Sequence, residues 1–171
     1  GAVGRGGAVD PAPRTDRVVR VVDRAEVAPH GVGTGGVPSG AHHEWGSITA
    51  VGQKLYAAAA FARALLVVEK ATGGAHGVDT EGVHSGERTG TGLAVGTKVA
   101  SHKWADIAAV GKWAEVYAAP LTAPVLLVVD TATVAPHAAA TAGVHSGAHP
   151  KWGTITAVAQ KLSAAPAFAP A

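Results

Sequence analysis

The residues best suited to chemistry in this chain are its histidines and the carboxylates spaced from them. His30, His76 and His137 each stand seven residues after an acidic residue that closes a Val/Leu-rich run: Asp23, Glu69 and Asp130. His84 and His145 occupy equivalent places in two Gly-Val-His-Ser-Gly segments, where the first copy has Pro38. Imidazole and carboxylate together are a competent ligand set for Zn, Mn, Fe or Ni. If the three runs were adjacent strands, about 4.8 Å apart, their carboxylates would crowd one sheet edge. Like charges at that range raise one another's pKa or recruit a cation. The pattern therefore points to a divalent transition-metal site drawn from Asp23, His30, Glu69, His76, His84, Asp130, His137 and His145. A plainer reading competes with it: duplication copies every residue, and a carboxylate after a strand often caps the next turn.

Other signals are slighter. Gly31-Val32-Gly33-Thr34-Gly35-Gly36 matches G-x-G-x-x-G by letter. It starts eight residues after the acidic end of its run and opens no helix, so it lacks the setting of a dinucleotide site. The histidines beside Ser85 and Ser146 are sequence neighbours, which seldom aim at each other as a nucleophile and base do. Trp45, Trp104 and Trp152 recur two residues before Ser47, Asp106 and Thr154, as apolar anchors or as a stacking surface. No known catalytic motif is present, so no reaction is specified.

The elements that must position these residues are repeated. Residues 128–171 reproduce 21–64 at an offset of 107, with 30 of 44 positions identical. A middle copy matches at an offset of 46 from Val67 to Gly86, identical at 11 of 20 positions, and at 59 from Trp104 onward. Its 13 extra residues, around Gly90–Val99, suggest an added strand or hairpin. The repeats span 17–64, 65–123 and 124–171 of one domain, behind a Gly/Pro/Arg-rich arm at 1–16 that reads as mobile.

Within each repeat, runs such as Leu65–Glu69 and Val125–Asp130 are continuously apolar, as in strands buried on both faces of a parallel sheet. After a long loop, Ile48, Val51, Leu55, Ala58 and Ala62 fall at steps of three and four, marking one face of a helix. Ile155, Val158, Leu162 and Ala165 repeat the pattern, and Ser47, Asp106 and Thr154 stand where a helix cap belongs. The expected fold is thus α/β: three strand–loop–helix repeats, a mainly parallel sheet and Ala-rich helices packing it. A threefold all-β arrangement of the β-trefoil kind is the alternative.

Composition narrows the function classes. The 171 residues carry a net charge of +2, and there is no Cys, Met or Asn. The near-neutral charge gives no general case for nucleic-acid binding. Lack of Cys removes disulfides, thiolate catalysis and Cys-ligated zinc. No apolar run is long enough to span a bilayer as a helix, so a soluble protein without a membrane partner is expected. The stretch VVDTATVAPHAAATAG, at 128–143, resembles the start of bacterial microcompartment shell domains over those 16 residues. Two functions follow. One is a metal-ion or small-anion binding protein using the loops after the repeated strands. The other is a self-assembling structural, shell or scaffold protein without ligand or catalysis. A homo-oligomer is expected in either case, because Ala-rich repeat faces seldom bury themselves alone.

Overall fold

The computed structural model describes residues 8–9, 18–22, 29–34, 36–37, 44–84, 87–89, 98–110, 114–141 and 152–167. Among the described residues every regular element is a strand. In order they are β1 (Ala8–Val9), β2 (Val18–Val22), β3 (Pro29–Gly33), β4 (Trp45–Val51), β5 (Lys54–Ala59), β6 (Ala64–Glu69) and β7 (Ala75–Asp79). There follow β8 (Glu87–Thr89), β9 (Lys98–Ala100), β10 (Trp104–Val110), β11 (Glu115–Pro120), β12 (Val125–Asp130), β13 (Pro136–Ala140), β14 (Trp152–Val158) and β15 (Lys161–Pro166). Every pairing is antiparallel.

The α/β expectation is therefore wrong, and the all-β alternative fits better. The segments read as helices are hairpins. Val51 pairs with Lys54 around a tight turn at Gly52 (φ +55°) and Gln53, the left-handed geometry such hairpins need. Ala-rich β5 then returns along β4. The three- and four-residue spacing arose because β5 is apolar on both faces, so its strand alternation is hidden. Tertiary burial overrides alanine's helix preference. The Val/Leu runs of β6 and, at Leu127–Val129, of β12 are buried on both faces, but by other sheets rather than by helices.

Sheet membership does not follow the sequence repeats. The two complete sheets have strand orders β4-β5-β6-β7 and β10-β11-β12-β13. Each takes its first hairpin from the end of one repeat and its second from the start of the next. That leaves a half at each end: β1-β2-β3 and β14-β15. The added segment of the middle repeat forms the small hairpin β8-β9.

The sheets stack as layers. On β5 and β6, Tyr56, Ala58, Leu65 and Val67 pack with Ile107, Val116, Ala118, Leu127 and Val129 of the second full layer. The alternate residues Leu55, Ala57, Leu66 and Val68 pack the opposite way, with Val32 and Val37. The outer face of the second layer, through Ala108, Tyr117, Ala119 and Leu126, meets Ile155, Ala157 and Leu162 of β14-β15. The order is thus an N-terminal half-layer, two full layers and a C-terminal half-layer. Small side chains let the sheets approach closely: a Cβ on Gly46 would lie 2.3 Å from the Ala105 carbonyl oxygen across the interface between the two full layers.

Candidate functional site

Among the described residues the expected metal ligands are not gathered into one group. Glu69 ends β6 and Asp130 ends β12, and those strands belong to different layers rather than to one sheet edge. Glu69 forms an ion pair with Lys54 across the β5–β6 register, Oε1 to Nζ 3.2 Å. Asp130 organises its own turn. Its Oδ1 accepts from the amides of Ala132 and Thr133 at 2.9 and 2.7 Å, and from the Thr133 hydroxyl at 3.0 Å. Those bonds, the Thr133 amide foremost, hold its carboxyl below the usual range. His76 and His137 lie exposed on β7 and β13, opposite Val67 and Val128. His84 follows a turn, its amide donating to Thr80 O at 2.9 Å, and its ring stands edge-on to Trp104. Asp23, His145 and the side chain of His30 lie outside the described residues. Among the described residues no three His, Asp or Glu side chains form a group that could hold a metal ion.

The residues read as helix caps have a different task. Ser47, Asp106 and Thr154 sit at one repeat position on β4, β10 and β14. The amide of Ile107 donates to Ser47 Oγ at 2.9 Å, from the second full layer to the first. The amide of Ile155 donates to Asp106 Oδ2, also at 2.9 Å, from the C-terminal half-layer to the second. Ser47 itself donates to Asp106 Oδ1. A side-chain oxygen therefore does satisfy a free backbone N–H, as a cap would. The N–H belongs to the neighbouring layer, at a bulge in the hairpin register. The repeated tryptophans lock each layer along its edge: Trp45 Nε1 donates to Ala64 O at 3.0 Å, and Trp104 Nε1 to Val125 O at 3.1 Å.

Sequence reasoning missed Lys103, which is buried. Its Nζ reaches Thr80 Oγ1 at 3.3 Å and lies 5.1 Å from the centre of the Trp104 ring. Burial pushes its pKa down to about 8, against the opposing pull of Glu81 and Asp79. The Lys103 backbone also ties the layers together: its amide donates to Ala60 O, and its carbonyl accepts from Leu121 and Ala123. Nothing in the residue type at position 103 foretold burial; only the stacking of two layers creates it.

Among the described residues, the face of β14-β15 away from the second layer is open. Thr154, Thr156, Ser163 and Ala165 are exposed there, and Val158 is 66% exposed. In the layer below, the equivalents Ala108, Val110 and Ala119 are buried. Lys161, opposite Val158 in the hairpin register, is the one charged residue of β14-β15 on that face, and the other five outward residues are uncharged. Comparison with known proteins finds no family model and no curated relative that matches this chain.

Proposed function

We propose that this is a structural protein that self-associates by continuing its own stack of layers. The observation that supports this reading is the uncovered outer face of β14-β15, which repeats the surfaces that the two full layers bury against the layer after each. Asp79 and Asp130 serve turns, Glu69 and Glu81 form ion pairs, and Asp106 and Lys103 bridge layers. Repeat stacks stop growing at atypical ends, whereas this face keeps the residue types of the covered face of the first full layer, with Ser163 in place of Tyr56.

The test is mass by light scattering and sedimentation over a dilution series. A concentration-dependent rise in mass beyond the monomer is expected, unaffected by chelator. A monomer at every concentration would overturn the proposal.

A further inference from the structure

The two incomplete ends are complementary halves of one layer. A full layer consists of the last hairpin of one repeat and the first hairpin of the next: β4-β5 with β6-β7, and β10-β11 with β12-β13. The C-terminal half-layer holds a last hairpin, β14-β15, with no first hairpin beside it. The N-terminal half-layer holds a first hairpin, β2-β3, with no last hairpin beside it. We infer that β14-β15 of one copy of this chain pairs edge to edge with β2-β3 of a second copy, completing a four-stranded layer and joining copies head to tail. This rests on the self-association proposed above and names its partner surface.

The register inside the chain sets the register between copies. β5 meets β6 as Leu55 opposite Val68, Tyr56 opposite Val67 and Ala57 opposite Leu66. β11 meets β12 in the same frame, Val116 opposite Val129 and Tyr117 opposite Val128. Carried over by the repeat offsets, Leu162 lies opposite Val22, Ser163 opposite Val21 and Ala164 opposite Arg20. One step further, Lys161 and Asp23 occupy the places of the Lys54 and Glu69 ion pair. Pro166 does not block this edge. Pro120 stands at the same place on β11, beyond the residues that pair with β12.

Two further contacts repeat across the junction. Trp45 and Trp104 donate to the carbonyls of Ala64 and Val125, whose repeat equivalent is Val18, so Trp152 Nε1 meets Val18 O of the second copy. Ser47 and Asp106 accept from the isoleucine amides of the next layer, so Thr154 accepts from Ile48 of the second copy. In this pairing β2-β3 of the second copy also covers the outer face of β12. There Leu126 is only half-buried, while its equivalent Leu65 is fully buried.

The edge of β2 that this pairing uses is occupied within the chain by β1. Ala8 lies opposite Val22 and Val9 opposite Val21, the places of Leu162 and Ser163 in the completed layer. A two-residue strand is a short edge guard of the kind that keeps an open sheet from pairing indiscriminately. β15, with six residues, offers a longer ladder and displaces it. Because the surfaces joined differ and each junction leaves one of each free, the assembly is heterologous and grows as a line unless rotation closes it.

Cysteine trapping tests this in the full chain, which has no cysteine of its own. Two matched variants are needed, Leu162→Cys with Val22→Cys and Lys161→Cys with Asp23→Cys. Adjacent antiparallel pairs alternate in spacing, so one of the two has the closer side chains. The control is Leu162→Cys with Val18→Cys, about 14 Å out of register along the strand. Mild oxidation should give a ladder of covalent multimers from a matched variant, at least tenfold above the control. No excess over the control, or a disulfide closed within one monomer, would overturn the inference. Should the unmodified chain oligomerise while the matched variants give no ladder, only this pairing fails. Should it never oligomerise, the self-association fails too. Removing residues 1–16 should speed oligomerisation; an unchanged rate would refute the guard role of β1.

Discussion

β5 and β15 are nearly the same strand in two surroundings. KLYAAA and KLSAAP differ at two of six positions, and each returns along a hairpin partner in matching register. Yet all of β5 beyond Lys54 is buried, while β15 is exposed except at Leu162. β5 has β6 along its free edge and a layer on each face, whereas β15 has a layer on one face only. Burial here belongs to position in the stack, not to the residues buried. On the proposed reading, a terminal sheet that repeats an internal one in composition serves as a junction rather than a cap.

The sharpest way to break this comparison is to charge the same position twice. Ala58 and Ala165 are repeat equivalents, both facing the next layer, one fully buried and one exposed. Ala58→Asp should destabilise the fold by about 3–5 kcal/mol or unfold it outright, since it strands a carboxylate between sheets. Ala165→Asp should alter the stability of dilute protein by no more than about 0.5 kcal/mol and sharply lower its oligomeric fraction. Urea denaturation and light scattering measure the pair. Equal costs at the two sites would mean that β15 is covered after all.

A second measurement sharpens the covered side. Lys103 is buried where the two full layers meet, with its pKa at about 8 against 10.5 for a free lysine. The unfolded chain therefore holds more protons than the folded one between those values. Stability rises with pH across that window, by at most about 1.4 kcal/mol per unit. Below about pH 8 the lysine is charged in both states and the cost of burying it is fully felt. Melting temperature followed from pH 7.5 to 10.5 should show the rise, and Lys103→Met should flatten it. A wild-type profile as flat as that of the variant would mean that Lys103 is not held between closed layers.

The smallest effect lies in the turns of the same two hairpins. Gly52 and Ala159 are equivalent and share a left-handed backbone, with φ of +55° at each. A Cβ makes that conformation unfavourable by about 1–2 kcal/mol, partly offset by glycine's freedom in the unfolded chain. Ala159→Gly should therefore stabilise by about 0.5–1 kcal/mol, and Gly52→Ala should destabilise by a similar amount, both read by thermal denaturation. A null result at 159 would show that the terminal hairpin adds little to the folding unit.

How much was legible in advance follows the same division. Val67-Val68 and Val128-Val129 announced strands covered on both faces, and they are. Ser47, Asp106 and Thr154 announced side-chain acceptors for free amides. Ser47 and Asp106 are that, though the amides lie in the next sheet. The spacing of Ile48, Val51, Leu55 and Ala58 misled because a strand apolar on both faces has no period of two, and any regular spacing can then be drawn through it. His76 and Glu69 looked like neighbours of His137 and Asp130 only while the repeats were imagined side by side in one sheet. Stacking places equivalents one above another, where Glu69 serves Lys54 and Asp130 serves its own turn.

The sequence by itself determined the threefold repetition and the two-faced burial of the Val/Leu runs of β6 and β12. Those follow from local residue types and from spacing within one repeat. Only the tertiary structure decided that each layer joins the end of one repeat to the start of the next, leaving a half-layer at either end. That choice depends on which edges and faces meet in space. Residues identical in every copy cannot encode it, because the hydrophobic and hydrogen-bonding energy each contributes depends on what covers it.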